Sequence, residues 1–389
     1  MSGFEGKETT VPLDEAARRD FAAAVREFAE RECGTREKRV ALTGGETEAH
    51  SPELYAKLAD LGWIGVAMPE EYGGGGGGLT DACVLLEELA YGQVPVFALG
   101  ISMIAAKAVE KFGTRQQREN LIGGFCRGEI SSVAMSEPES GSDVGSLRCR
   151  AERHGDEFVL NGQKTWISCA HYADRMLLVC RTDSSGSKHD GITMLTVPLP
   201  TEGVTVRGID TLGGREVNDV YFTDAVVPAA NVIGTEGGAW AQLMAGLNFE
   251  RITCAAIFLG KARRAFDDTL AYVRERKQFG RPIGSFQVLR HRLADLATEL
   301  ECCRALVYDL AGRVDADPGT QRAREASMAK LKVTETAKRI SIEGMQMFGG
   351  AGYTTEYDIE RHLRGNIIST VFAGTSEIQR EIIAGSYGL

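Results

Sequence analysis

A single pair of charged residues interrupts a long apolar stretch in the second half of the sequence. Between Ala239 and Gly260 the only formally charged residues are Glu250 and Arg251. A carboxylate in such a setting is either half of a structural ion pair or a base kept away from water, whose pKa burial would raise. The first interpretation predicts a basic partner from another element, and the second predicts free space beside the carboxylate.

Helix geometry favours free space beside Glu250. Residues at i−4, i+3 and i+4 share a helix face, and for Glu250 these are Gly246, Thr253 and Cys254. All three are small, so this face would be grooved and would leave room for a ligand. Arg251 lies about 100° around the helix and need not pair with Glu250. We therefore expect Glu250 to be a general base, with a buried ion pair as the alternative.

Composition argues against several classes of protein for this chain of 389 residues. The net charge of −10 and the lack of a Lys/Arg cluster argue against binding of nucleic acid. Residues 1–20 lack the pattern of a targeting signal, and charges in the apolar stretch would be costly in lipid, so we expect a cytoplasmic protein with no membrane partner. Nine cysteines and six histidines show no metal-ligand spacing, so we expect no metal site and reduced, mostly buried thiols.

The pattern over residues 13–124 is helical and predicts an N-terminal α-helical domain at 1–125. Apolar residues recur at spacings of three and four, and Ser51 is a plausible N-cap. Six consecutive glycines at 73–78 interrupt this pattern and formally satisfy G-x-G-x-x-G. Because no strand signal leads into them, we expect a flexible loop and not a dinucleotide-binding turn.

Short alternating segments split by turn signals predict a middle β-domain at 126–235. Gly-Asp at 155–156 and Asn-Gly at 161–162 are typical of hairpin turns because these residues tolerate positive φ. The alternation continues in the segments that follow, as in strands with one buried face. We expect a small antiparallel sandwich or barrel.

Long helices return in the predicted C-terminal domain at 236–389. Three segments of about thirty to forty residues, separated by Pro282 and by Asp-Pro-Gly at 317–319, predict an antiparallel bundle. Two shorter helices follow, and at the last one Ser376 and Gln379 fit an S-x-x-Q capping box. The predicted fold class is α+β and multidomain, with a helical domain, a middle antiparallel β-barrel or sandwich, and a C-terminal four-helix bundle.

Five segments in a fixed order resemble motifs of the acyl-CoA dehydrogenase family. They are SEPESGSDVGSL (136–147), NGQKTWIS (161–168), RERKQFGRPI (274–283), QMFGGAGYTTEYDIERHLRG (346–365) and FAGTSEIQR (372–380). The resemblance runs over essentially the whole chain, and the ordered set is far more specific than any single motif. It implies the acyl-CoA dehydrogenase-like fold, with FAD between the β-domain and the bundle, usually in a homotetramer.

The resemblance also implies the residues of the site. Trp166 would buttress the isoalloxazine ring and Ser168 would hydrogen-bond near its N5, since a flavin needs a flat apolar wall and donors at its polar edge. The residues implied for FAD are Met135, Ser136, Ser142, Trp166, Ser168, Arg276, Gln278, Phe279, Gln287, Gln346, Gly350, Thr375 and Glu377. The six from Arg276 to Gly350 would grip the FAD of a neighbouring subunit. The residues implied for the substrate are Ser142, Asn248, Arg251, Phe372 and Gly374.

Residues 372–375 depart from the commonest pattern of the family. Many members carry the catalytic Glu directly before Gly-Thr, where this chain has Ala373, which cannot accept a proton. In the isovaleryl-CoA and long-chain branches the base comes instead from the first long bundle helix, in a Glu-Arg pair resembling Glu250-Arg251. The combination of Glu250 with Ala373 resembles those branches. The backbone N–H of Ala373 would then polarise the thioester carbonyl.

The implied activity is FAD-dependent α,β-dehydrogenation of an acyl-CoA or related acyl thioester to the trans-2-enoyl thioester. Glu250 would abstract the α-proton, FAD N5 would take the β-hydride, and electron-transferring flavoprotein would accept the electrons. The alternatives are a flavin-dependent oxidase or monooxygenase on the same scaffold, a dehydrogenase of carrier-protein-bound acyl groups, and a catalytically silent subunit. Short branched, medium-chain and steroid side-chain acyl groups all fit the sequence.

Overall fold

The computed structural model describes residues 12–389, and their first part is helical as predicted. Ser51 caps the third helix, because its Oγ accepts a hydrogen bond from the Leu54 N–H at 3.4 Å. The helices are α1 (Glu15–Cys33), α2 (Arg36–Leu42), α3 (Pro52–Asp60), α4 (Leu79–Tyr91), α5 (Ala98–Phe112) and α6 (Arg115–Cys126).

The six glycines at 73–78 form a packed loop between α3 and α4. The Gly75 N–H donates to the Gly65 carbonyl oxygen at 2.9 Å, and a Cβ at Gly74 would clash with the carbonyl of Met68. Glycine is therefore required here by close backbone approach, and the expectation of a flexible loop is wrong. A short 3-10 turn precedes the loop, so it lacks the strand that a dinucleotide-binding turn needs.

Eight strands form one open sheet of mixed direction in the middle of the chain. The strands run in the order β6-β7-β3-β2-β4-β5-β8, with β1 beside β4. β4 is parallel to β1 and β2, and the other pairs are antiparallel. The predicted β-domain is confirmed, but the described strands close no barrel and are not all antiparallel. The strands are β1 (Ser131–Ala134), β2 (Arg150–His154), β3 (Glu157–Ser168), β4 (Arg175–Arg181), β5 (Ile192–Pro198), β6 (Val204–Thr211), β7 (Gly214–Pro228) and β8 (Val232–Ile233).

The two predicted hairpin turns have different outcomes. Gly155, with φ +62°, lies in the turn between β2 and β3, as expected. Asn161 and Gly162 instead lie inside β3, where the register with β7 shifts. Gly162 has φ +143°, and a Cβ there would come within 2.7 Å of the Cys149 Cα. The second glycine thus serves a strand irregularity and a close approach, and not a turn.

Three long helices dominate the C-terminal part. The helices are α7 (Ala239–Glu275), α8 (Gln287–Ala316), α9 (Ala323–Phe348), α10 (Ile359–Ile367) and α11 (Ser376–Gly385), with a small hairpin, β9 (Lys277–Gln278) and β10 (Arg281–Pro282), between α7 and α8. Helix α4 packs against α7 and α8, and α9 packs against α7, α8, α10 and α11.

Within residues 12–389, α7 alone is long and apolar enough to cross a membrane by length and composition. The protein itself buries 65% of the most apolar window of this helix. Because α7 packs against α4, α5, α8 and α9, its apolar composition is explained by its central place in the core.

Buried charges join α4 to the bundle. The side chains of Glu87 and Glu88 are 0% and 2% exposed. Arg263 from α7 pairs with both carboxylates, Arg304 from α8 pairs with Glu87 at 2.8 Å, and Arg26 from α1 pairs with Glu88 at 2.6 Å. Both of these buried carboxylates therefore have guanidinium partners, which is the condition for burying such charges without a large penalty.

The first turn of α4 is held by a carboxylate from the end of α8. Asp315 accepts hydrogen bonds from the N–H groups of Leu79 at 2.6 Å and Thr80 at 2.9 Å. These N–H groups have no partner within the helix, and a negative charge at a helix N-terminus is favourable. Asp315 therefore fixes the end of the glycine loop against the bundle.

Replacing Asp315 by Ala should lower the free energy of unfolding by about 1–3 kcal/mol, because two N–H groups lose their acceptor. Urea unfolding followed by circular dichroism measures this change. Asp309→Ala removes an exposed carboxylate from the same helix, which pairs only with Arg313 four residues on, and should change stability by less than about 0.5 kcal/mol. Equal stability of the two variants would contradict the anchoring role of Asp315.

Candidate functional site

Glu250 lies in the middle of α7 and is partly buried. Among the described residues, none forms a hydrogen bond or an ion pair with its carboxylate. The Thr253 hydroxyl donates to the helix carbonyls of Phe249 and Glu250 at 3.0 and 3.1 Å, and a Cβ at Gly246 would meet no atom within 4 Å. The space at Gly246, one helical turn before the carboxylate, is therefore open, as its small residue predicted.

Burial raises the pKa of the Glu250 carboxyl above its ordinary value, and the positive charges of Arg251 and Lys330 oppose this shift. The direction follows from the cost of holding a charge away from water. Neither cation contacts the carboxylate, so the expected alternative, a structural ion pair, does not form within residues 12–389. A carboxyl group with a raised pKa and no partner has the properties of a general base.

Arg251 is turned away from Glu250 into a separate polar chain. Its guanidinium donates to the Asn248 Oδ1 at 3.0 Å, and the Asn248 Nδ2 donates to the Gln321 Oε1 at 3.0 Å. Arg251 and Asn248 are both buried. The structure thus brings these two implied substrate residues together, and it adds Gln321, which precedes α9 and carries no motif that would reveal it.

The backbone at Ala373 and Gly374 is left-handed at both residues, with φ +52° and +78°. No residue that the structure describes accepts a hydrogen bond from the Ala373 N–H. The carbonyl oxygens of Ala373 and Gly374 both accept from the Gln379 Nε2, at 2.9 and 3.0 Å. The turn at 372–375 therefore has the carbonyls of Ala373 and Gly374 bound by side chains, while the Ala373 N–H has no partner among the described residues.

The predicted Ser376–Gln379 capping box is wrong. Thr375 is the N-cap of α11, and its hydroxyl accepts from the Ile378 N–H at 3.2 Å. Ser376 is the first helical residue and Gln379 turns back to the 373–374 carbonyls. The S-x-x-Q spacing was one residue out of register with the true cap, and helix ends are the least certain feature of a sequence pattern.

Lys330 of α9 is a site residue that sequence reasoning missed. Its side chain is fully buried and its Nζ donates to the Gly374 carbonyl oxygen at 2.8 Å. The same ammonium lies 5.9 Å from the centre of the Phe372 ring. A lysine on the face of α9 that also carries Ala326, Ala329 and Val333 was the available signal, since an isolated charge on an apolar face needs a partner.

Apolar side chains surround the same region. Phe372 is 40% exposed and its ring centre lies 5.8 Å from that of Phe258 on α7. Helix α5 packs against α7, and a Cβ at Gly100 would come within 3.3 Å of the Ile257 side chain. Ile257 follows Glu250 by two helical turns on the same face. Apolar side chains of α7 and of the 372–375 turn therefore lie near Glu250, and α5 packs closely on the same face of α7.

The β-domain residues implied for the cofactor lie on adjoining strands. The Met135 carbonyl accepts from Lys164 Nζ at 2.9 Å and the Ser136 carbonyl accepts from the Thr165 N–H at 3.0 Å. These bonds place Met135 and Ser136 beside the end of β3, which carries Trp166 and Ser168. Trp166 has φ +61° and is 61% exposed. Ser142 lies in the exposed loop between β1 and β2.

A second implied group lies at one end of the bundle. Arg276, Gln278, Phe279 and Gln287 surround the β9–β10 hairpin, and Gln346 and Gly350 lie at the end of α9. The ring of Tyr272, on the last turn of α7, stacks on Phe348 at a centroid distance of 3.9 Å, which joins the two sets. All six residues are exposed, Phe279 to 92%.

Thr375 and Glu377 line a separate cleft of about 510 Å³ between α9 and the start of α11. Lys338 and Arg339 line the same cleft, and neither was singled out from the sequence. Free N–H groups at a helix start together with two cations suit an anionic group such as a diphosphate. The lining residues are Glu335, Lys338, Arg339, Ile342, Glu343, Thr370, Val371, Thr375, Ser376 and Glu377.

Sequence profiles described as the N-terminal, middle and C-terminal domains of acyl-CoA dehydrogenase match residues 15–129, 132–225 and 237–388. The chain belongs to the acyl-CoA dehydrogenase family. Its relatives include the probable acyl-CoA dehydrogenase YngJ of Bacillus subtilis, 36% identical over 92% of this chain and 95% of that protein. The mitochondrial isovaleryl-CoA dehydrogenase of Solanum tuberosum is 32% identical over 98% of this chain and 92% of that protein.

Solved structures of the family share the fold. The acyl-CoA dehydrogenase from Geobacillus kaustophilus superposes with a TM-score of 0.91 at 33% identity, over 97% of this chain and 99% of that chain. The prolyl acyl carrier protein oxidase AnaB superposes with 0.90 at 29% identity, over 97% and 100%. A glutaryl-CoA dehydrogenase from Mycobacterium smegmatis in complex with FADH2 superposes with 0.86 at 27% identity, over 96% and 95%. This acyl-CoA dehydrogenase-like enzyme is thus an oxidoreductase of an FAD-dependent family.

All nine cysteines of this chain are free thiols. Eight of them are buried, in line with the expectation of mostly buried thiols, and Cys302 is exposed. Cys254, one turn from Glu250, has its pKa raised to about 12 by burial.

Because the thiolate is the reactive form, an aromatic disulfide reagent should modify one thiol quickly in the native protein and all nine after unfolding. Cys302→Ser should abolish the fast reaction. Rapid loss of a second thiol would contradict the burial of the other eight cysteines.

Proposed function

We propose that this enzyme dehydrogenates an acyl thioester, with Glu250 as the base that removes the α-proton. One observation carries the proposal: a partly buried carboxylate with no described partner lies on a grooved helix face within charge range of Lys330, which itself binds the turn carrying the free Ala373 N–H. A free donor and a free base near one groove fit a substrate that must be polarised at a carbonyl and deprotonated at the adjacent carbon.

Two groups of this chain, the Ala373 N–H and the Glu250 carboxylate, take part in the proposed reaction. The Ala373 N–H donates to the thioester carbonyl oxygen, which acidifies the α-hydrogen, and Glu250 accepts that hydrogen as a proton. FAD, when bound, supplies the acceptor for the β-hydrogen and its electron pair, so that the product is the trans-2-enoyl thioester. The raised pKa of Glu250 makes its ionised form a stronger base.

The residues present fit FAD. Trp166 offers an exposed indole at the end of β3 with the Ser168 hydroxyl two residues further, which matches a flavin's need for an apolar wall and a donor. The cleft beside α11 carries the cations Lys338 and Arg339, which suit the diphosphate. Both features lie on residues, or beside residues, that the family resemblance assigned to FAD.

The apolar side chains near Glu250 suit an apolar acyl group. Phe258, Ile257 and Phe372 are apolar, and the neutral thiol of Cys254 lies one turn from Glu250. Such a lining favours a hydrocarbon chain and disfavours a charged acyl end, because an unpaired buried charge is costly. The dehydrogenases named above are acyl-CoA, isovaleryl-CoA and glutaryl-CoA dehydrogenases, and we propose CoA as the thioester carrier here.

The exposed residues around the β9–β10 hairpin support self-association. Phe279 is 92% exposed and Tyr353 is 88% exposed, and together with Gln278 and Gly350 they occupy the end of the bundle that the resemblance assigns to a neighbouring subunit's FAD. We therefore propose a homotetramer in which this end completes the cofactor site of a second copy. Electron-transferring flavoprotein is the proposed electron acceptor.

Replacing Glu250 by Gln should slow flavin reduction by acyl-CoA by about 10²–10⁴-fold, the usual effect of losing a general base. Anaerobic titration of the yellow protein with acyl-CoA thioesters of increasing length and branching, followed near 450 nm, measures the reduction and ranks the substrates. Asp267→Asn, a carboxylate on the same helix that accepts from Tyr91, should leave the rate near that of the wild type. A Glu250→Gln variant that bleaches at the wild-type rate would disprove the assignment of the base.

The pH dependence should report the shifted pKa of Glu250. Only the ionised carboxylate accepts a proton, so kcat/KM should fall as the pH drops through the pKa of Glu250 in the free enzyme. Because burial raises that pKa above 4.5, the acid limb should lie at a higher pH than for an ordinary glutamate. Stopped-flow reduction across the pH range measures the limb. A limb at or below the ordinary value would contradict the burial argument.

A carrier-protein thioester oxidase is the second candidate, because AnaB, a prolyl acyl carrier protein oxidase, shares this fold at a TM-score of 0.90. Oxygen consumption during turnover separates the two functions. A dehydrogenase should transfer electrons to electron-transferring flavoprotein and consume little oxygen while product is bound. Stoichiometric oxygen uptake with an acyl carrier protein substrate, and none with acyl-CoA, would favour the oxidase.

A further inference from the structure

The turn at 372–375 adopts a conformation that its own sequence does not favour. Ala373 and Gly374 have φ +52° and +78° in succession, and a left-handed backbone is unfavourable for alanine, because its Cβ crowds the following carbonyl. Such a conformation persists only where surrounding groups over-determine it. In this chain the turn also carries the N–H that the proposed function requires, so the groups that hold it bear on activity.

Two buried side chains bind the carbonyls of this turn. Lys330 Nζ donates to the Gly374 carbonyl oxygen at 2.8 Å, and Gln379 Nε2 donates to the same oxygen at 3.0 Å and to that of Ala373 at 2.9 Å. Both side chains are 0% exposed. The donors come from two helices, α9 and α11, so neither carbonyl can rotate without breaking a hydrogen bond in an enclosed site.

Fixing the two carbonyls constrains the free N–H. The carbonyls of Ala373 and Gly374 belong to consecutive peptide planes, and each plane is rigid. The plane that carries the Ala373 N–H is joined to the plane of the fixed Ala373 carbonyl through one Cα, so only the φ and ψ angles of Ala373 set the direction of the N–H. An N–H that must meet a developing negative charge is effective when its direction is set before the reaction.

We propose that Lys330 is a positioning residue for the reaction: with Gln379 it holds the 372–375 turn so that the Ala373 N–H faces the same groove as Glu250. This inference rests on the proposed function. Lys330 touches the turn and the Phe372 ring but has no contact with the Glu250 carboxylate, so its role is exerted through the turn and through its charge.

The charge of Lys330 acts on Glu250 as well. The charged or titratable groups near Lys330 are Glu250, Arg251 and Cys254 from α7, Glu335 from its own helix and Glu377 from α11. Arg251 and Lys330 are the two cations that favour the ionised form of Glu250. Loss of the Lys330 ammonium would therefore raise the pKa of Glu250, and the acid limb of kcat/KM would move to higher pH.

Lys330→Met tests the proposal, since it keeps the length of the side chain and removes the donor and the charge. We expect amide hydrogen exchange in the 371–379 segment of the FAD-loaded protein, where the N–H groups of Ile378 and Gln379 are bound to Thr375, to rise about tenfold or more. We expect kcat to fall about 10²-fold, the scale for disturbing one such donor. KM should change less, and the acid limb should move upward. Lys332→Met, two residues along α9 at a surface pair with Glu299, is the control and should change none of these quantities.

Gln379→Met separates the two effects of Lys330. It removes the donors to Ala373 and Gly374 without changing charge, so exchange should rise and kcat should fall while the acid limb stays in place. It also carries the test if Lys330→Met does not fold. Unchanged exchange and kcat in the folded variants would overturn the proposal. Exchange is measured without substrate and therefore tests the positioning role separately from the activity. If exchange rises in the variants but no acyl thioester reduces the flavin of the wild-type protein, the proposed function alone is overturned.

Discussion

The structure depends on keeping the carboxylate of Glu250 partly buried and without a partner. An ion taken out of water loses several kcal/mol, roughly, and a contact ion pair would normally offset that loss. Here the offset comes only from the positive charges of Arg251 and Lys330, which act without contact. The carboxyl group therefore stays poised to bind a proton, and a contact partner would have removed that property.

The neighbouring elements are arranged to leave this carboxylate free. Arg251 is bound to Asn248, and Lys330 is bound to the Gly374 carbonyl. Both cations close to Glu250 are thus engaged elsewhere, one within α7 and one with the turn before α11. The small residues at 246, 253 and 254 share the face of Glu250, and the position at Gly246 is open to a ligand.

Helix α7, which carries Glu250, also lies at the centre of the helical core. α7 is packed by α4, α5, α8 and α9, and the buried pairs of Glu87 and Glu88 with Arg263 and Arg304 lock α4 onto α7 and α8. The carboxylates of Glu87 and Glu88 have guanidinium partners, whereas that of Glu250 has none among the described residues. The comparison shows that this chain can bury carboxylates with guanidinium partners, so the absence of one at Glu250, among the described residues, is a specific feature of the site.

The amino-acid sequence determined the order of helices and strands, the grooved face around Glu250, and the exchange of a glutamate for Ala373, because spacing and residue size act within one element. Only the tertiary structure decided the contacts of Lys330 and Gln321, since their partners are 44 and 73 residues away along the chain. It also decided that the six glycines pack, that Gly162 lies inside a strand and that the sheet stays open. Those outcomes depend on close approach and strand pairing between distant segments, for which a local pattern holds no information.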